Sequence, residues 1–147
     1  MFHVRPAPLL IGVLVLGGLV SGVATTSAAD LSVRLDGVHS ASGSVRVMLF
    51  DRAEGFRKEE KSLAIRQAAA SPGTVAVTFE GLAPGRYAVM AYHDENGDGA
   101  LDRFLGMIPT EGYGLSNNPE VTGPPAFEDS AFALPDGGGA ITVTMRY

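Results

Sequence analysis

The chain has no cysteine in its 147 residues. Disulfides, thiolate nucleophiles and thiolate-bound zinc are therefore excluded. Lysine is nearly absent: Lys58 and Lys61 both sit in the charged run DRAEGFRKEEKS. Both are expected to be solvated, so no buried lysine is at hand for an isopeptide cross-link. Histidine is confined to His3, His39 and His93, and no G-x-S-x-G elbow occurs. Ser116 and His93 come nearest to a nucleophile with its base, but nothing in their spacing makes them converge. Paired carboxylates for glycoside hydrolysis are not recognisable from spacing. The densest acids lie in one loop instead, which suits a metal better. No complete set of catalytic roles can be assembled. A non-enzymatic protein is expected, with a small hydrolase of unrecognised site as one alternative.

The only long apolar run is Leu9–Val20, interrupted just by glycines. His3 and Arg5 precede it, and Ser27, Ala28 and Ala29 supply the small residues a signal peptidase needs. The run is short for a membrane span of roughly 20 residues, and no basic stop-transfer cluster follows. Residues 1–29 are thus expected to be a signal peptide, and 30–147 one domain of a periplasmic or secreted protein with no membrane span left. A lipid anchor has no cysteine to use. Loss of Arg5 makes the product one unit more negative than the −5 of the whole chain. That argues against nucleic acid or an anionic membrane as partner and suits cation binding. Without disulfides, such a domain depends on a real core or a bound ion.

What the sequence has in quantity is period-two alternation. In LSVRLDGV, Leu31, Val33 and Leu35 share one face. VRVMLF sets Val45, Val47 and Leu49 against Arg46, Met48 and Phe50. TVAVTFEGL aligns Val75, Val77 and Phe79, and RYAVMAYHD aligns Tyr87, Val89 and Ala91. LAIRQAAA is compatible with a strand or a short helix, the charged run before it with a helical turn or loop. SAFAL and AITVTMRY complete a set of six to eight strands cut by Gly/Pro/Asp turns. The pattern predicts an all-β, antiparallel β-sandwich. Residues 94–127 contain no clear strand. Their apolar residues Leu101, Phe104, Leu105, Met107, Ile108, Tyr113, Leu115 and Phe127 predict an ordered loop packed on the sandwich.

That loop opens on YHDENGDGALDRF. Asp94, Asn96 and Asp98 stand at positions one, three and five of a D-x-[DN]-x-[DN]-G pattern, with glycine at six. Ala100 at seven would offer its carbonyl, and Asp102 stands at nine. Position twelve is Leu105 rather than glutamate, and a strand precedes the loop where an EF-hand has a helix. A calcium loop on a β scaffold remains, with Glu111 as the missing carboxylate if the chain folds back. Glu95 is expected to point outward. Hard oxygen ligands favour calcium over zinc. The competing reading is a plain hairpin turn, in which Asp→Ala changes would be neutral or stabilising. His93 is expected to be a hydrogen-bonding strand residue and His39 an exposed one. Tyr113, Asn117 and Asn118 are candidates for a ligand surface toward glycan or protein, or else turn and capping residues.

The order FEGLAPGRYAVMAYHDENGDGALD, FLGMIPTEGYGLSNN, GPPAFEDSAF resembles the DUF2141 family of exported bacterial proteins. The similarity runs from about Leu31 to Tyr147. The resemblance implies one sandwich of the transthyretin-like (prealbumin-like) or immunoglobulin-like kind and no established activity. GLAPGRYAV also resembles the Gly-Tyr corner of carboxypeptidase-regulatory-like sandwiches. The expected function is an exported binding or accessory module with a calcium loop. An alternative is a carbohydrate-binding module that uses the 94–127 loop.

Overall fold

The computed structural model describes residues 28–120 and 122–147. Most of the expected signal peptide therefore lies outside the described residues. Among those described, no helix is long and apolar enough to cross a membrane.

Alternating apolar residues become strands where the sequence predicts them: β1 (Ala29–Val38), β2 (Ser44–Phe50), β3 (Ala64–Ala69), β4 (Gly73–Leu82) and β5 (Gly85–Asp94). The alanine-rich segment is thus a strand, and the charged run contains a 3₁₀ turn at Glu59–Lys61. Beyond β5 come β6 (Arg103–Phe104), β7 (Ile108–Pro109), β8 (Tyr113–Leu115), the single helical turn α1 (Phe127–Ser130), β9 (Phe132–Leu134) and β10 (Gly139–Thr144). One sheet has the order β10-β1-β4. The other runs β3-β2-β5-β8, with β9 also paired to β5. β8 and β9 lie end to end along one flank of β5, opposite Met90–Tyr92 and Gly85–Tyr87. β6 and β7 form a separate hairpin.

The strands are mostly antiparallel, but the first and last run parallel, Leu31 opposite Gly139 through Asp36 opposite Thr144. Alternation records which face a residue occupies and carries no strand direction, so this pairing was not readable beforehand.

Leu31, Val33, Leu35, Val45, Val47, Leu49, Phe79, Val89 and Val143 fill the space between the sheets. Each large aliphatic or aromatic side chain so buried contributes about 1.5–3 kcal/mol. A second cluster lies on the outer face of the five-stranded sheet: Met48, Phe50, Ala88, Met90 and Tyr92 under Phe56, Leu115 and Phe127. Phe56 stands edge-on to both Phe50 and Phe127, with centroids 5.2 and 5.8 Å apart. Two expectations need correction here. The 94–127 segment is not without strands, since β8 joins the main sheet. Nor do all its apolar residues pack: Leu101, Tyr113, Leu115 and Phe127 do, whereas Phe104, Leu105, Met107 and Ile108 are 60–75% exposed. The short β6–β7 hairpin forms a sheet of its own, and among the described residues no other strand pairs with it.

Candidate functional site

The acidic loop is built on the end of β5. Asp94 is buried, and its carboxylate points back into the loop. Oδ1 accepts the amides of Gly97 (2.8 Å) and Asp98 (3.1 Å), and Oδ2 accepts that of Gly99 (2.9 Å). The chain wraps around one carboxylate because Gly97 and Gly99 take left-handed φ, +75° and +82°. Asn96 Oδ1 then accepts the Asp98 amide (3.0 Å), and Asp98 Oδ1 that of Ala100 (2.9 Å), a succession of Asx turns. The Asn96 side-chain amide donates to Asp102 (2.8 Å) and, at longer range, to Asp98 (3.5 Å). The chain does fold back. Glu111, also buried, accepts the amides of Glu95 (3.0 Å) and Asp102 (3.1 Å), so it clamps both ends of the loop.

All the acids and the asparagine of the expected ligand set thus meet in one loop. They meet by binding backbone amides, with the Asn96 amide between Asp98 and Asp102. Among the described residues, no three acidic or histidine side chains converge in a metal-holding arrangement. Ala100 enters the network through its amide. Glu95 is half-buried, its carboxylate 3.5 Å from His93 Nδ1, so it does not simply face water.

His93 is fully buried. Its Nε2 lies 2.7 Å from the Ser42 carbonyl and must donate to it. In the neutral ring Nδ1 then accepts from the Tyr147 hydroxyl at 2.8 Å, whose oxygen accepts the amide of exposed His39. Ser116, also fully buried, accepts the Val89 amide and donates to the Ser130 carbonyl. Both side chains tie strand β5 to neighbouring non-strand segments, and they are not bonded to each other.

The candidate ligand residues have similar internal duties. Asn117 and Asn118 adopt left-handed φ of +63° and +47°, which asparagine tolerates better than most residues. Asn117 donates to the Ala131 carbonyl (2.8 Å). Asn118 accepts the Thr144 amide (2.7 Å) and donates to the Thr142 carbonyl (3.2 Å), closing the outer edge of β10. Tyr113 is half-buried and exchanges backbone hydrogen bonds with Arg146. Asn118→Ala should therefore cost about 2 kcal/mol, the sum of two lost hydrogen bonds and a strained backbone. Asn118→Gly, which keeps the conformation, should cost less. Urea unfolding of the two variants checks this, and equal losses would show that the conformational term is negligible.

Beside the loop the structure has a cleft of about 280 Å³ that the sequence did not suggest. Met48, Met90 and Tyr92 form its floor, Gly99–Leu101 and Arg103 one wall, Arg57 and Glu59 the other. The Tyr92 hydroxyl lies 3.0 Å from the Gly99 carbonyl and 3.3 Å from Glu59. Burial, reinforced by the Glu59 charge, pushes its pKa up to about 12, so it stays a donor at neutral pH. Glu59 is itself paired with Arg46. The apolar character of residues 88, 90 and 92 was the available signal that this face is covered and has a floor.

Searches of curated proteins and of solved structures find no match to the chain. A family model does match, over residues 33–142, which take in both sheets, the acidic loop and the cleft. The chain belongs to the DUF2141 family, described as uncharacterised protein conserved in bacteria.

Proposed function

We propose that this protein is an exported, non-enzymatic binding or accessory module of the transthyretin-like or immunoglobulin-like kind, and that its Asp94–Asp102 loop takes up calcium. The observation that carries the reading is the approach of Asp98 and Asp102 to one Asn96 amide nitrogen, in a loop already braced by Asp94 and Glu111. Calcium binds carboxylate and amide oxygens at roughly 2.3–2.6 Å. To enter, it would displace the Asn96 amide hydrogens and relieve the repulsion between exposed Asp98 and half-buried Asp102. Export rests on the layout of residues 1–29. The non-enzymatic reading is supported by the burial and internal bonding of His93 and Ser116.

Calcium at a hundredfold excess over Kd adds about 2.7 kcal/mol, a rise of about 5 °C or more in Tm for a domain of this size. Asp98→Ala with Asp102→Ala should abolish the rise. These two positions are the informative ones, because Asp94 and Glu111 are structural even without an ion. Thermal melts in calcium and in chelator, with metal analysis of the purified protein, make the test. Identical melts with no ion found would remove the calcium reading and leave a self-bonded turn.

A further inference from the structure

We propose that the cleft between the outer face of β2 and β5 and the 99–103 segment binds a small amphipathic carboxylate, its anionic head held by Arg57 and Arg103 and its apolar body lying on Met48, Met90 and Leu101. The proposal does not depend on calcium. Arg57 and Arg103 both line the cleft, and among the described residues neither guanidinium has an ion-pair partner. Arg57 reaches this position at φ +71°, a conformation that is unfavourable for a bulky residue and marks a locally determined backbone. It is held between Phe56, which is buried in the outer cluster, and the Lys58 amide, which bonds the Gly55 carbonyl at 2.9 Å.

Among the described residues, no neighbouring acid forms an ion pair with either arginine. Glu59 is paired with Arg46. Asp98 and Asp102 bond back into their own loop through Ala100 and Asn96. Two guanidiniums with free planar donors suit a carboxylate, which they can hold by two-point hydrogen bonds. Met48 and Met90, which face each other across β2 and β5, are only 2% and 5% exposed, and their thioether side chains shift readily to admit a flexible alkyl chain. The volume, about 280 Å³, falls just below the usual ligand range, so the ligand is small. A sugar would find few hydrogen-bonding groups on this floor beyond the Tyr92 hydroxyl.

The test is an NMR titration of the protein with octanoate, octylammonium and octanol, in chelator so that calcium plays no part. Octanoate should saturate and shift the methyl signals of Met48, Met90 and Leu101. Octylammonium should not bind, and octanol should bind at least about tenfold more weakly, since it lacks the charge that the arginines recognise. The Arg57→Gln, Arg103→Gln double variant should lose the octanoate preference at unchanged Tm, because both side chains are exposed. Equal binding of octanoate and octanol, an unaltered affinity in the double variant, or no shift at these methyls with millimolar octanoate would each overturn the proposal.

Discussion

Asp94→Ala should lose about 3 kcal/mol of folding stability in chelator, with no metal present. The buried carboxylate is the acceptor for the Gly97, Asp98 and Gly99 amides. Hydrogen bonds to a charged group are each worth roughly 1.5–3 kcal/mol net, and donors stripped of their acceptor add a desolvation cost. Water reaches the exposed side of the loop and replaces part of this, which brings the total below the simple sum of the three bonds. Asp94→Asn retains one accepting oxygen but turns an NH₂ toward an amide N–H, so it should lose roughly half as much. Urea unfolding followed by circular dichroism measures both. The outcome tests the plain-turn reading that the sequence left standing. In a plain turn the change would be neutral or stabilising through relief of repulsion. A loss below about 0.5 kcal/mol, the range of ordinary surface changes, would mean that the bonds seen around Asp94 do not hold the loop.

A loss of at least about 3 kcal/mol is expected for Gly43→Ala, in the turn that joins β1 to β2. Gly43 has φ +64°, and a Cβ there would run into the backbone carbonyl of Asp94. Left-handed φ alone costs alanine about 1 kcal/mol. Overlap with backbone cannot be relieved by a rotamer change, so β2 and β5 must separate at this end. Their separation would strain the adjoining Ser44–Asp94 pair and the contact of the Ser42 carbonyl with His93. Gly97→Ala is the control. Its φ is similar, +75°, but a Cβ meets nothing within 4 Å, so only the conformational cost applies. Equal losses for the two variants would refute the steric explanation.

The two aspartate-loop readings and the strand pattern show where local information ends. Residues 31, 33 and 35, or 75, 77 and 79, reveal their inward face because side-chain alternation is a property of the strand itself. The same rule applied to Ala88, Met90 and Tyr92 indicates an apolar second face, and the structure covers it. Strands of two or three residues, such as β6, β7 and β8, have no period to detect, so residues 94–127 read as one long loop. For Phe104, Leu105, Met107 and Ile108, apolar character suggested burial, but a hairpin without a neighbouring strand leaves them in solvent.

The acidic loop divides in the same way. Residue types and spacing alone picked out its acids and asparagine, with Glu111 included on condition that the chain folds back, and they also determined the alternating strands and the turns between them. Tertiary structure decided the rest: β10 parallel to β1, the cleft gathered from β2, β5 and two distant loops, and the direction in which Asp94 and Glu111 point. The physical reason is that a carboxylate's role depends on which donors surround it. Those donors are backbone amides whose positions exist only once the chain has wrapped around the side chain they bind.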